Sequence, residues 1–184
     1  PLHCYHRLAP IMYHLRTIKS EIEVKLMQDA IDLTEKGFRR VLNFVKPKVW
    51  EYEIEAEFAH EFLRNRSKGF AYTPIIASGK NACVLHYIEN NQMCLSGDVI
   101  LLDVGSEYAN YSSDMTRCIP VSGKFTARQK EVYNAVLRVK KAAEKLLVPG
   151  TMLAEYHKEV GTIMEKELLA LKLIDKTDIK NQDP

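Results

Sequence analysis

Val99-Ile100-Leu101-Leu102-Asp103-Val104-Gly105-Ser106-Glu107-Tyr108-Ala109-Asn110-Tyr111-Ser112-Ser113-Asp114-Met115-Thr116-Arg117 is the stretch on which the fold turns. Val99–Val104 is a short apolar run of the length of a buried strand, and Tyr111–Val121 reads as a second strand beyond the loop Gly105–Asn110. A connection this short predicts an antiparallel hairpin. The register that sets residue 103 opposite residue 114 also sets Leu101 opposite Thr116 and Val99 opposite Cys118. Both carboxylates then lie on one face, about 5 Å apart at Cβ. Tyr108-Ala109 is a poor two-residue turn for that register, so a longer loop or a bulge is expected.

A carboxylate on a buried strand costs several kcal/mol unless it is compensated. Two adjacent anions repel, which calls for a cation between them or for one acid to stay protonated. Hard divalent metals with oxygen ligands are the usual answer. A second reading has Asp103 capping a turn at Gly105 and Asp114 pairing with Arg117, and spacing alone leaves the two open. His86, in Val84-Leu85-His86-Tyr87, is likewise open. It is a hydrogen-bonded core residue, or it walls an active site and there donates to a carbonyl or shuttles protons.

Working outward, residues 1–19 read as a connector, with Pro10 interrupting any long helix. Ser20-Glu21-Ile22-Glu23 is a capping box that opens a long amphipathic helix ending at Pro47. A second helix covers Glu51 to Asn65. Ile54, Phe58, Phe62 and Leu63 form its apolar side, while Glu51, Glu53, Glu55, Glu57 and Glu61 occupy the wet face. Phe70–Ile76 reads as a strand, Ser78-Gly79-Lys80-Asn81 as a turn and Cys83–Tyr87 as a short strand. After the hairpin, Thr126 and Gln129 form another capping box on a helix that runs to Pro149-Gly150. A last helix covers roughly Ala154–Leu173, and Asp175–Pro184 is a polar tail. The order α-α-β-β-β-β-α-α predicts an α+β fold, an antiparallel sheet covered by helices.

Composition excludes several classes. Forty-six per cent hydrophobic against 27% charged residues in 184 positions is a globular ratio. The longest apolar runs fall far short of the roughly 18 residues of a membrane span. The first residues lack a secretory layout. Twenty-six basic against 24 acidic residues leave +2, which cannot drive nucleic-acid binding. Four scattered cysteines (Cys4, Cys83, Cys94, Cys118) suit a reducing cytoplasm better than a disulfide framework.

Leu101-Leu102-Asp103-Val104-Gly105, Ser113-Asp114-Met115-Thr116-Arg117 and the preceding Ser78-Gly79-Lys80-Asn81-Ala82-Cys83-Val84-Leu85-His86-Tyr87 together resemble the Xaa-Pro aminopeptidase (aminopeptidase P) branch of the pita-bread metallopeptidases. The likeness runs from about Arg7 to Leu173 and takes in Ser122-Gly123-Lys124-Phe125-Thr126 and Pro149-Gly150-Thr151. It implies two divalent metal ions, manganese first with zinc or cobalt as alternatives, that activate water to remove an N-terminal residue preceding proline. On that resemblance Asp103 chelates one metal and Asp114 bridges both. Thr116 orients Asp114, His86 faces the substrate and stabilises the transition state, and Tyr72 lines the pocket. Arg117 carries no assigned role beyond a structural ion pair.

The resemblance also implies what is missing. The family's other ligands, one His and two Glu, come from the second half of the domain, and nothing like its His-Gly-x-x-His segment occurs here. Residues 1–19 are then a linker from an N-terminal domain, and 20–184 the N-terminal half of the pita-bread catalytic domain. Expected partners are Xaa-Pro peptides, the C-terminal half and further copies of the chain, since half a core exposes a sheet edge and apolar surface. The 184 residues alone should not catalyse. Two alternatives stand beside this reading: a prolidase acting on Xaa-Pro dipeptides, and a non-catalytic pita-bread module that binds protein.

Overall fold

The structure, a computed structural model, describes residues 6–180. Cys4, His3, the first five residues of the expected connector and the last four of the expected tail lie outside them. The chain divides into two compact units between Lys124 and Phe125.

The first unit begins with α1 (Ala9–Thr17), where only a connector is expected. Pro10 does not break this helix because it stands in its first turn, where its missing N–H has no intrahelical acceptor to lose. α2 (Glu21–Phe44) starts where expected. The Ser20 N–H donates to Glu23 Oε2 at 2.7 Å, and Val45 closes the far end before Pro47. Its buried residues, Ala30, Leu33, Thr34, Gly37, Phe38 and Val41, follow one helical stripe. α3 (Glu51–Arg64) lays Ile54, Phe58 and Phe62 against that stripe. A Cβ on Gly37 would come within 2.8 Å of the Phe58 ring and 2.9 Å of Phe62, so the two helices meet there at a distance only glycine permits.

Six short strands follow among the described residues: β1 (Gly69–Phe70), β2 (Ile75–Ser78), β3 (Val99–Val104), β4 (Ser106–Tyr108), β5 (Tyr111–Ser112) and β6 (Met115–Pro120). They form two three-stranded antiparallel sheets, ordered β1-β4-β5 and β2-β3-β6. The expected continuous strands are thus each divided. Phe70–Ile76 bends at 71–74 between β1 and β2, and Tyr111–Val121 leaves one sheet for the other at Ser113-Asp114. Ile76, Ile100, Leu102 and Val104 turn into the core with Ile54, Phe58, Phe62 and Val41.

The hairpin register differs from the expected one by two residues. Asp103 lies opposite Thr116, Leu101 opposite Cys118 and Val99 opposite Pro120. The turn is the two-residue Ala109-Asn110, with Tyr108 paired to Tyr111. Both turn residues have positive φ (50° and 69°), the twist a tight hairpin requires, and Asn tolerates it readily.

Cys83–Tyr87 is not a strand. Gly79–Cys83 forms a 3₁₀ helix, and the chain then turns through His86, which has φ +54° and is exposed. The Val84 N–H closes the 3₁₀ helix on Asn81 O at 2.9 Å, and the flanking Ser78 and Gln92 amides donate to the Glu51 carboxylate. The acidic side of α3 is also not uniformly wet, for Glu51 is completely buried.

The second unit comprises α4 (Ala127–Leu146), α5 (Leu153–Ala170) and a one-turn α6 (Lys176–Lys180) in the expected tail. Thr126 and Gln129 cap α4 reciprocally, at 2.8 and 3.2 Å. Arg138 clamps Glu167 with two bonds of 2.7 and 2.6 Å, and Arg128 donates to Leu171 O at 2.8 Å, so α4 and α5 run antiparallel. Asp175 Oδ1 accepts from the Thr177 and Asp178 amides, which starts a helix where a polar tail reads as coil.

Candidate active site on the open sheet face

Alternation along β3 decides where the acids go. Ile100, Leu102 and Val104 are buried, so Leu101 and Asp103 face the opposite side, where Asp103 is half-buried. On that face the cross-strand row at residue 103 is Ile75-Asp103-Thr116, and the next is Ala77-Leu101-Cys118. The register departs from the expected one by two residues and not one, so parity along β6 is kept, and Asp114, one residue before that strand, lies near Asp103, since one tyrosine hydroxyl reaches both.

Tyr72, in the bend between β1 and β2, reaches both acids. Its hydroxyl lies 2.6 Å from Asp103 Oδ1 and 3.2 Å from Asp114 Oδ1. Burial, then the hydrogen bond and negative charge of Asp103, then the charge of Asp114, hold the phenol proton far above its ordinary range. Tyr72 is therefore a neutral donor shared by two carboxylates. Arg117 donates instead to Thr116 O at 2.8 Å, and neither acid forms an ion pair among the described residues. The alternative pairing of Asp114 with Arg117 is thereby set aside.

Backbone contact holds this corner together. A Cβ on Gly105 would stand 1.8 Å from the Ser113 carbonyl oxygen, so the two segments touch directly beside the acids. Thr34 on α2 contributes a buried hydroxyl 2.7 Å from Ser113 Oγ and 2.9 Å from the Ser106 amide, and Ser106 Oγ donates to Ala30 O at 2.9 Å. α2 thus grips the hairpin at the residues where it changes sheets.

A cleft of about 300 Å³ opens on the same face, lined by His86, Leu85, Ile75, Leu101, Asp103 and Thr116 among others. His86 reaches it from an exposed turn and not from an apolar strand, which removes the core-histidine reading. The structure thus brings Asp103, Asp114 and Tyr72 together, with Thr116 beside Asp103 and His86 across the cleft. The donor chemistry is two carboxylate oxygens sharing one neutral proton donor, which suits a hard divalent cation. No third His, Cys, Asp or Glu joins them among the described residues, so the donor set is partial.

Sequence reasoning missed Glu51. It accepts from Ser78 N (2.8 Å) and Asn81 Nδ2 (3.2 Å) on one oxygen, and from Tyr87 OH (2.7 Å) and Gln92 N (2.9 Å) on the other. The available signal is its spacing: 51, 54, 58 and 62 share one helical stripe, which sets an acid among apolar residues.

With this geometry in hand, the class of protein follows from comparison. The model of metallopeptidase family M24 matches residues 25–179, and the chain belongs to that family, with its pita-bread fold. Within the family it is similar to Xaa-Pro aminopeptidases: 41% identical to that of Haemophilus influenzae over 165 residues, which are 90% of this chain and 38% of the relative. Against the Escherichia coli enzyme it is 37% identical over 90% of this chain and 37% of the relative. Among solved structures, proline aminopeptidase P II from Yersinia pestis superposes with a TM-score of 0.85 at 36% identity, covering 89% of this chain and 37% of that one. Zinc-substituted Escherichia coli aminopeptidase P in complex with product superposes with a TM-score of 0.88 at 36% identity, covering 91% and 38%. The chain spans less than two fifths of the length of these relatives. No helix among the described residues is long and apolar enough to cross a membrane.

Proposed function

We propose that this chain is the first half of the catalytic domain of a metal-dependent Xaa-Pro aminopeptidase, a cytoplasmic exopeptidase that removes the residue preceding an N-terminal proline bond. The carrying observation is one phenol hydroxyl within hydrogen-bond reach of two carboxylates from two adjoining β-segments. Similarity to Xaa-Pro aminopeptidases over nine tenths of the chain supports the substrate class. The free thiols Cys83, Cys94 and Cys118 suit the cytoplasm.

Asp103 and Asp114 would hold the metal, two manganese ions with zinc or cobalt as alternatives, together with donors from the second half of the domain. When bound, the metal supplies Lewis acidity and lowers the pKa of water toward neutrality. Tyr72 keeps the two carboxylates together by donating to both. Thr116, opposite Asp103 in the register and two residues beyond Asp114, would orient Asp114. His86, facing the cleft, donates to the peptide carbonyl as charge develops on its oxygen.

The test uses the whole protein with Xaa-Pro peptides and added manganese. Asp103→Asn and Asp114→Asn should each lower kcat/KM by more than about 1,000-fold and deplete bound metal. His86→Ala should lower kcat by about 100-fold with metal retained. Wild-type rates in both aspartate variants would sink the assignment. Activity confined to dipeptides would identify a prolidase instead, and metal-free binding of a protein partner a non-catalytic module.

A further inference from the structure

Glu51 is the most deeply buried acid of the described residues, and it has no cationic partner there. A buried carboxylate is costly unless its lone pairs are filled. Here neutral donors from four residues fill them, and those residues are 78, 81, 87 and 92. They bracket one loop at both ends and pin it twice within. The attachment is reciprocal at the far end, where the Glu51 N–H donates to Gln92 O at 3.0 Å.

The tip of that loop, residues 83–86, is exposed. Leu85 is 86% exposed, and His86 turns through a left-handed conformation immediately before the pinned Tyr87. Burial and the Glu51 carboxylate push the Tyr87 hydroxyl up to about 12, so it remains a donor throughout the neutral range. A second strap lies close by. Buried Asn90 accepts from Ile76 N at 3.0 Å and donates to Pro74 O at 3.0 Å and Glu55 Oε2 at 2.9 Å. α3 therefore carries two acids one turn apart that serve the loop.

We infer that Glu51 is a positioning residue: its buried carboxylate sets the loop 79–91 through four directional bonds and thereby presents His86 to the cleft that contains Asp103. An apolar residue at position 51 could fill the same space, but it would fix the loop at none of these points. The inference rests on the reading of that cleft as the peptidase site.

The experiment is a double-mutant cycle on kcat in the whole protein, using Glu51→Gln and His86→Ala with metal content measured throughout. Glutamine keeps the shape but turns one acceptor into a donor that meets an amide N–H. Glu51→Gln should lower kcat at least 10-fold with metal retained, and speed hydrogen exchange at the Ser78 and Gln92 amides. In the His86→Ala background the same change should cost less than 2-fold, because its effect passes through His86. Should Glu51→Gln fail to fold, Tyr87→Phe removes one of the four bonds and takes its place in the cycle. Full additivity, or kcat within 2-fold of wild type for the position-51 or position-87 variant, overturns the inference while leaving the peptidase reading intact. Wild-type kcat in both His86→Ala and Asp103→Asn overturns the peptidase reading itself, and this inference with it.

Discussion

Gly105 shows how little room surrounds the two acids. Its φ is ordinary, so what it supplies is space: a methyl group there would overlap the Ser113 carbonyl at 1.8 Å. Backbone cannot yield as a flexible side chain does, so Gly105→Ala should destabilise the chain by about 4 kcal/mol or more. Urea denaturation would measure this, and a cost under about 1 kcal/mol would mean the close approach is not real. The same contact explains why Asp114 stays near Asp103. Tyr72 and Glu51 illustrate the other side of residue-level reasoning. Resemblance suggests Tyr72 as a pocket residue, and its position between two carboxylates emerges only when the bend at 71–74 is formed. Glu51 reads as one of five surface acids until its helical phase is compared with Ile54 and Phe58.

At the scale of elements, helices are legible where a stripe and a cap agree. α2, α3 and α4 start within a residue of the positions that Ser20, Glu51 and Thr126 mark. α1 and α6 escape because both are short and expose most of their residues, and their starts depend on Pro10 and Asp175 in roles that also suit coil. Packing between elements makes its own prediction. Gly37→Ala should gain up to about 1 kcal/mol of helix propensity, yet push a methyl group to 2.8 Å from the Phe58 ring. Phe58 is fully buried and packs edge-on against Phe38 at 5.1 Å, so the ring has no free space to move into. The net change should be a loss of about 1–2 kcal/mol, read from the denaturation midpoint at constant m-value. A stabilised variant would refute this account of how α2 meets α3.

For the molecule as a whole, the candidate site of two acids and a histidine lies on an open sheet face. Val84, Leu85 and Ile88 stand exposed at its edge, 55%, 86% and 54% respectively. The 184-residue chain alone should therefore show no turnover of Xaa-Pro peptides with manganese added, and should associate with itself as concentration rises. Sedimentation velocity over a 100-fold concentration range checks the second expectation, and a peptidase assay the first. A monomeric, active chain would contradict the proposal that the site is completed from outside these residues. Stability of the same chain should depend little on added metal, since a donor set of two aspartates binds a divalent ion weakly and weak binding adds little to folding stability.

The amino-acid sequence by itself determined the long helices, the central hairpin and the nearness of Asp103 to Asp114. Each depends on a local period of apolar residues, and a two-residue difference in register cannot change which side a strand residue faces. Tertiary structure alone decided the division into two sheets, the looped form of Cys83–Tyr87 and the donors that satisfy the Glu51 carboxylate. The partners of Glu51 among these lie 27 to 41 residues away along the chain, and no local pattern records a partner so distant.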